Sequence, residues 1–302
     1  MSPIREAAAP RACLVVPASD QRKIDKALAA EVDEVVLDLE DAVAPQAKDA
    51  ARSRVGQALA AGAGGQGGRR VAVRVNQVGS AWCHRDVLEI VGTAVAPVTI
   101  VLPKVDGPGD LAFLDRLVRG ALAERRQVGR AVPDVRFDAL VETARGLRNL
   151  VGISSTSDRL RALVVGYADL AADLGRDPGG DPALWDPVRT RVVTAARATG
   201  RLVLDGPRLS VVADDAFLAD KTRARALGFD GTWVIHPAQV AEATRLFTPS
   251  AEQVEWARRV VAALDESVDG GAGAVALDGQ MLDEAVAVRA RSVLLLAGAD
   301  AA

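Results

Sequence analysis

The chain has 302 residues, of which 49% are hydrophobic and 25% charged, a balance typical of a globular protein with a substantial core. Its formal net charge of −3 and its lack of a long basic block give no reason to expect a nucleic-acid partner. The N-terminus lacks the pattern of a signal peptide, and no run reaches the roughly 18 apolar residues of a membrane span. We therefore expect a cytoplasmic protein with no membrane partner.

Short runs rich in β-branched residues recur along the chain, and each is followed by a longer segment of helical character. There are eight such runs, at residues 13–16, 34–39, 71–75, 98–102, 137–141, 162–165, 201–204 and 232–235. This alternation predicts βαβ units and a parallel sheet buried on both faces. Eight units fit a closed barrel better than a six-stranded open sheet, so the predicted fold is α/β, a TIM (β/α)₈ barrel.

The helical segments carry start signals. Ser19 and Asp20 can cap a helix at Arg22–Ala30, and Thr143 can cap one that begins at Ala144. The glycine-rich stretch 61–68 lacks the strand–GxGxxG–helix setting of a nucleotide site, so it is interpreted as a flexible loop.

A second glycine-rich stretch, residues 269–274, separates a predicted helix at about 251–266 from a last one at about 281–297. This tail is too short for an independent domain. The predicted organisation is therefore a barrel over residues 11–248 and a C-terminal helical extension or lid over residues 249–302. The extension is expected to pack on its own barrel or on a neighbouring one.

Polar and ionisable side chains stand at the ends of the predicted strands. They are Asp38, Glu40, Asp41, Arg74, Asn76, Lys104, Glu142, Asp169, Asp205 and His236. In barrels of this type the chemistry lies where the strands end and the following loops begin. One face of the barrel is therefore predicted to collect acids, basic residues and a histidine.

Glu142 and Asp169 lie about one βα unit apart and would end adjacent strands. Mg²⁺ suits two such carboxylates, because it fills its other positions with water or substrate oxygens. Zn²⁺ is disfavoured, since the chain has no cluster of His and Cys. The alternative is that each acid caps a helix or pairs with Arg145 or Arg148.

The second predicted strand brings Glu40 and Asp41 to the same region. They could accept hydrogen bonds from waters on the metal, or form only a surface turn before Pro45. Arg74 could bind a substrate carboxylate or a developing enolate oxygen through its fork of donors, or simply neutralise the acids around it.

His236 is a candidate general base, but a structural role at a helix start is favoured for it, and more strongly for His84. No Ser/His/Asp or Cys/His arrangement for nucleophilic catalysis can be recognised in the sequence.

Seven segments occur in an order typical of one family. They are "VVLDLEDAVAP", "VAVRVN", "LPKV", "ALVETARGL", "GYADLAADLG", "GFDGTWVIHPAQV" and "LDGQMLD", and they span about residues 11 to 292. With these segments the chain resembles the citrate lyase β-subunit-like family of CoA-ester lyases, the HpcH/HpaI aldolases. Each segment alone is a weak signal, whereas the seven together are specific.

The resemblance implies a Mg²⁺-dependent carbon–carbon lyase. Such an enzyme cleaves or forms a 3-hydroxyacyl-CoA, such as malyl-CoA or citramalyl-CoA, giving an acyl-CoA and an α-keto acid. It also implies a homotrimer or hexamer. Glu142 and Asp169 match the family's metal ligands.

Further residues match by position. Arg74 corresponds to the family's substrate-binding arginine, with a catalytic role, and Glu40 and Asp41 match acids that contact the metal's waters. Asp283 corresponds to the catalytic acid/base of the C-terminal segment, which often acts across a subunit boundary.

The first loop departs from the family, which commonly has Val-Pro-Gly where this chain has Ala18 after Pro17. Because alanine lacks glycine's backbone freedom, the resemblance does not fix the placement of CoA in this loop. Lys23 could meet a CoA phosphate or be a plain solvated charge. Three other functions stay open: a pyruvate-type aldolase that uses no thioester, a malate-synthase-like condensing thioesterase, and a non-catalytic subunit of a lyase complex.

Overall fold

The structure is a computed structural model that describes residues 9–65, 69–177, 181–269, 275–277 and 279–298. Parts of both glycine-rich stretches, residues 66–68 and 270–274, lie outside the described residues.

Eight parallel strands form a closed barrel in chain order, and the first strand pairs with the last. The strands are β1 (Ala12–Pro17), β2 (Glu34–Asp38), β3 (Arg70–Arg74), β4 (Val98–Leu102), β5 (Val135–Val141), β6 (Leu160–Val165), β7 (Leu202–Asp205) and β8 (Gly231–Val234). All eight predicted strands are confirmed, and so is the TIM-barrel fold.

Helices follow the strands and surround the barrel. They are α1 (Gln21–Ala29), α2 (Lys48–Ala60), α3 (Cys83–Thr93), α4 (Pro108–Gln127), α5 (Ala144–Arg148), α6 (Leu150–Ser154), α7 (Tyr167–Leu174), α8 (Asp186–Ala198), α9 (Asp215–Ala226), α10 (Val240–Phe247), α11 (Ala251–Asp269) and α12 (Glu284–Leu296). Asp20 caps α1 and Thr143 caps α5, as predicted.

Alternation along the strands divides their side chains between the inside of the barrel and the layer under the helices. The inner cluster includes Cys13, Val36, Ala72, Val101, Leu140, Val164, Leu204 and Trp233. Asp38, Arg74 and Glu142 each follow an inner residue by two positions. The same period therefore directs these three polar side chains to the inner side, at the C-terminal end of the barrel.

A buried ion cluster occupies the opposite, N-terminal end of the barrel. Arg161 Nη1 lies 2.5 Å from Glu34 Oε2, and its Nε and Nη2 lie 2.9 and 2.5 Å from the two oxygens of Asp138. Both carboxylates are completely buried. The pairing of β5 with β6 is irregular at Phe137 and Asp138, beside this cluster. The alternation of residues along the strands does not predict this ion cluster.

The C-terminal extension has a hydrophobic cluster of its own, built by α11 and α12 and including Val260, Leu264 and Leu294. Between the two helices lie two antiparallel strands, β9 (Val275–Leu277) and β10 (Gln280–Leu282), which the sequence did not predict. The predicted last helix therefore begins at Glu284 rather than at 281. None of the helices in the described ranges is long and apolar enough to cross a membrane.

Candidate active site

A cavity of about 330 Å³ opens at the C-terminal end of the barrel. Four of the predicted site residues border it: Asp41, Arg74, Glu142 and Asp169. Asp169 lies in the first turn of α7, directly after β6. The structure therefore brings the two predicted metal ligands to the same cavity from adjacent strands.

Glu142 follows β5 and is 2% exposed. Its Oε1 accepts a hydrogen bond of 2.7 Å from the backbone N–H of Lys104, at the end of β4. Lys104 has a φ of +50°, a left-handed conformation that costs free energy in a residue with a side chain and tends to occur at functional sites. This backbone conformation places an N–H donor against the Glu142 carboxylate.

The acidic surroundings disfavour a charged Glu142. The pKa of Glu142 is raised to about 8, chiefly by burial and also by the nearby carboxylates of Glu40 and Asp169, while Lys104 opposes the rise. A cation bound beside Glu142 would restore the ionised form.

The Lys104 ammonium lies among three other carboxylates. Its Nζ is 2.7 Å from Glu40 Oε1, 3.5 Å from Asp41 Oδ2 and 3.6 Å from Asp169 Oδ2. Burial lowers the pKa of Lys104, but its hydrogen bond to Glu40 and its other acidic neighbours raise the pKa well above its ordinary value. Lys104 therefore stays charged among these acids.

Arg74 is held by two parallel bonds. Its Nε lies 2.7 Å from Asp38 Oδ1, and its Nη2 lies 2.7 Å from Asp38 Oδ2. This bidentate pairing fixes the guanidinium plane. Its Nη1 lies 3.0 Å from Glu40 Oε2, an ion pair without hydrogen-bond geometry, so the buried Oε2 has no hydrogen-bond donor.

These features fit a divalent cation. The carboxylates of Glu40, Asp41, Glu142 and Asp169 outnumber the one ammonium among them, and Glu40 Oε2 lacks a donor. Within the described ranges, no three His, Cys, Asp or Glu side chains are arranged to hold an ion by themselves. An ion held by Glu142 and Asp169 would therefore take its other ligands from water or substrate, as Mg²⁺ commonly does.

The other candidates lie away from the cavity wall. Lys23 is exposed on the first turn of α1 and does not border the cavity. His236 Nδ1 accepts a hydrogen bond of 3.2 Å from the N–H of Ala238 at the start of a short 3₁₀ helix, a structural role of the kind favoured for it. His84 is exposed at the start of α3.

Asp283 is not brought to this site within one chain. It is exposed, it caps α12 by accepting a hydrogen bond of 3.1 Å from the N–H of Val286, and it does not border the cavity.

A buried polar network beside the cavity was missed from the sequence. Tyr167 donates a hydrogen bond of 2.5 Å to Asp205, and Arg189 Nε donates one of 2.7 Å to the Tyr167 hydroxyl. Lys221 pairs with Asp205 at 2.5 Å. One feature of the sequence could have indicated this network: Arg189 is a charged residue on the same buried face of α8 as Val192.

The family described as HpcH/HpaI aldolase/citrate lyase matches residues 11–237. The chain belongs to this family. It is 34% identical over 298 residues to an L-malyl-CoA/beta-methylmalyl-CoA lyase of Cereibacter sphaeroides, with 91% of each chain covered. It is 32% identical over 297 residues to a mitochondrial citramalyl-CoA lyase of Rattus norvegicus, covering 95% of this chain and 86% of that protein.

This chain is also similar to a protein of known structure. The protein CitE from Mycobacterium tuberculosis, in complex with magnesium, acetoacetate and coenzyme A, is 34% identical to this chain. The two superpose with a TM-score of 0.74 over 97% of this chain and 99% of that one. These comparisons confirm the resemblance and the assignment as a carbon–carbon lyase.

The close approach of Gly166 to Glu142 gives a testable prediction. A Cβ added at Gly166 would overlap Glu142 Oε2 and lie 2.7 Å from its Cβ. Because Glu142 is packed and held by Lys104, we expect Gly166→Ala to displace the carboxylate and to weaken Mg²⁺ binding by about tenfold or more. Isothermal titration with Mg²⁺ measures this.

The control is Gly120→Ala on α4, where an added Cβ meets nothing within 4 Å. Its Mg²⁺ affinity should equal that of the wild type. An unchanged Mg²⁺ affinity in Gly166→Ala would show that Mg²⁺ binding does not depend on the observed position of the Glu142 carboxylate.

Proposed function

We propose that the protein is a Mg²⁺-dependent lyase. It cleaves or forms a 3-hydroxyacyl-CoA, such as malyl-CoA or citramalyl-CoA, giving an acyl-CoA and an α-keto acid. The observation that carries this is the presence of Glu142, Asp169 and Arg74 around one cavity. The relatives named as malyl-CoA and citramalyl-CoA lyases support the thioester substrate.

Glu142 and Asp169 would hold the metal, with Glu40 and Asp41 oriented toward its waters. When bound, Mg²⁺ supplies Lewis-acid polarisation of the keto-acid carbonyl. Arg74, fixed by Asp38, would offset the negative charge that develops on a substrate oxygen. Lys23, on the first turn of α1, would meet a phosphate of CoA.

Proton transfer at the thioester α-carbon is assigned to Asp283 of a neighbouring subunit. In the condensation direction Asp283 would take the α-proton, and in the cleavage direction it would return it. Asp283 is exposed and outside its own chain's cavity. Met281, two residues before Asp283, is 80% exposed. Near the cavity, the apolar side chains of Leu184 and Leu209 are 61% and 68% exposed. An apolar segment that docks from another copy would cover these side chains.

This arrangement makes residues 249–302 a lid on the barrel of residues 11–248 in a homotrimer or hexamer. It predicts complementation between two inactive variants. Glu142→Ala lacks a metal ligand and Asp283→Ala lacks the acid/base, so each alone should be inactive. When they are co-expressed with different tags and purified as mixed oligomers, about one site in three of a mixed trimer has both residues, and activity should return to about a third of the wild-type value, or about a quarter in a randomly mixed hexamer.

Mixed oligomers that stay inactive would contradict a site shared between subunits. Mixed oligomers of Glu142→Ala with a Glu142→Ala, Asp283→Ala double variant serve as the control, because they contain no intact site.

The proposed reaction is tested with a panel of substrates. We expect release of acyl-CoA and keto acid from malyl-CoA or citramalyl-CoA, dependent on Mg²⁺. Cleavage of free hydroxy-keto acids instead would indicate an aldolase that uses no thioester. Release of free CoA together with the intact hydroxy acid would indicate a thioesterase, and no turnover of any substrate would contradict the proposal.

A further inference from the structure

The two proposed metal ligands are held in different ways. The buried Glu142 carboxylate accepts a hydrogen bond from the backbone N–H of Lys104. The Asp169 side chain is 39% exposed, and its ion pair with Lys104 among the described residues, at 3.6 Å, is too long for a hydrogen bond. The position of the Asp169 carboxylate therefore depends on the backbone of the first turn of α7.

This first turn has little support from the residues at its own start. Its N-cap is Gly166, which has no side chain to accept a hydrogen bond from the N–H groups of the helix. The hydrogen bond from the Ala144 N–H to Asp173 holds the second turn of α7 and is exposed. The polar anchor of the first turn is Tyr167, the first residue of α7 and the only tyrosine in the sequence.

The Tyr167 side chain is fixed at both its hydroxyl and its ring. The hydroxyl donates a hydrogen bond of 2.5 Å to Asp205 and accepts one of 2.7 Å from Arg189 Nε. Arg189 Cζ lies 5.2 Å from the centroid of the ring, and Trp185 meets the ring in an edge contact with 5.1 Å between centroids. A Cβ added at Gly206 would lie 2.9 Å from Tyr167 Cδ2, so the ring also packs closely against the end of β7.

The groups that hold the hydroxyl are themselves fixed and buried. Asp205, at the end of β7, lies 2.5 Å from the ammonium of Lys221, and both are completely buried. Arg189, on α8, pairs with Asp220 of α9 at 2.7 Å, and Lys221 lies 3.4 Å from the same Asp220. Two cations and two anions thus form one compensated cluster, and buried networks of this kind are rigid. Tyr167 connects this cluster to α7.

We propose that Tyr167 is a positioning residue for the metal: its hydroxyl, held by Asp205 and Arg189, fixes the first turn of α7 and thereby the Asp169 carboxylate. Tyr167 and Asp169 are two residues apart in this turn, so a shift of the tyrosine backbone moves the aspartate with it. A ligand displaced by a fraction of an ångström binds its metal less well. The inference rests on the proposed function, in which Asp169 is a metal ligand.

The test is Tyr167→Phe, which removes the hydroxyl and keeps the ring. Isothermal titration of the full-length protein with Mg²⁺ should show binding about tenfold weaker than in the wild type. In the cleavage assay, the Mg²⁺ concentration that gives half the maximal rate should rise by the same factor. Because excess metal fills the displaced site, kcat at saturating Mg²⁺ should stay within about threefold of the wild type. Tyr167→Leu, which removes the ring contacts as well, should weaken Mg²⁺ binding further.

Arg197→Met is the matched control for a loss of stability alone. Arg197 lies in the last turn of α8, the helix that also contains Arg189; it donates to both oxygens of Asp230 and does not border the cavity. Each variant loses hydrogen bonds to a charged group, so thermal unfolding of the metal-free proteins should show a lower Tm in both. Only Tyr167→Phe should lose Mg²⁺ affinity.

The other outcomes decide against the inference. A lower Tm with unchanged Mg²⁺ affinity in Tyr167→Phe would make the hydroxyl a structural group only. Unchanged Mg²⁺ affinity with a fall in kcat that saturating Mg²⁺ does not restore would place Tyr167 among the groups that act on the substrate. Both results overturn the positioning role and leave the lyase intact.

The same titrations separate this inference from the proposed function. A wild-type protein that binds Mg²⁺ but cleaves no thioester would contradict the proposed function alone, because the comparison of Tyr167→Phe with the wild type still measures the positioning role. A wild-type protein that binds no Mg²⁺ would contradict both.

Discussion

Replacement of Glu142 by glutamine is expected to reduce kcat/KM for thioester cleavage by about 10³-fold or more, since the Lewis-acid contribution of a bound metal amounts to several kcal/mol. Glutamine retains an oxygen for the Lys104 N–H but loses the negative charge that would hold Mg²⁺. Mg²⁺ affinity from isothermal titration should fall in parallel with the rate.

The fold should not change in this variant, because the substitution preserves shape at a buried position. Glu124→Gln, an exposed site on α4, is the control and should match the wild type in both measurements. If Glu142→Gln kept Mg²⁺-dependent turnover within tenfold of the wild type, Glu142 would not be a ligand of the metal.

The second large effect is expected for stability, at the other end of the barrel. Arg161→Met leaves Glu34 and Asp138 buried without their cation, and we expect a loss of about 3–5 kcal/mol in the free energy of unfolding. Urea denaturation followed by tryptophan fluorescence measures it, since Trp233 lies inside the barrel.

The pH dependence of this loss has a definite sign. Burial already raises the pKa of Asp138, and Arg161 opposes that rise, so removing Arg161 raises the folded-state pKa further. A carboxylate with a raised pKa in the folded state destabilises the protein above that pKa and ceases to do so as pH falls below its unfolded value. The deficit of Arg161→Met should therefore be smaller at about pH 5.5 than at about pH 8.

A triple variant checks the cause. Glu34→Met, Asp138→Leu and Arg161→Met together replace the ion cluster with apolar side chains, and stability should return to near the wild-type value. A single variant as stable as the wild type, or a triple variant as unstable as the single one, would contradict this account of the cluster.

The barrel and part of its site could be predicted because both depend on local patterns. Each strand is a short β-branched run, and a period of two places Asp38, Arg74 and Glu142 on the inner side at one end. Asp169 follows the next strand, so chain order alone brings it near Glu142. These relations require no knowledge of distant contacts.

What was missed depends on contacts between residues far apart in sequence. Arg161 meets Glu34 across the barrel, and nothing local to either residue indicates the pairing. The left-handed backbone of Lys104 has no glycine or asparagine to signal it. In the first loop, Ala18 adopts no positive φ, so the missing family glycine imposes no backbone strain there.

The metal site is tested most directly by anomalous scattering from crystals grown with Mn²⁺ in place of Mg²⁺ and with pyruvate present. We expect one strong anomalous peak between Glu142 and Asp169, at about 2.0–2.3 Å from an oxygen of each carboxylate. A peak elsewhere, or none while Lys104 stays among the carboxylates, would contradict the assignment of this site to a divalent cation.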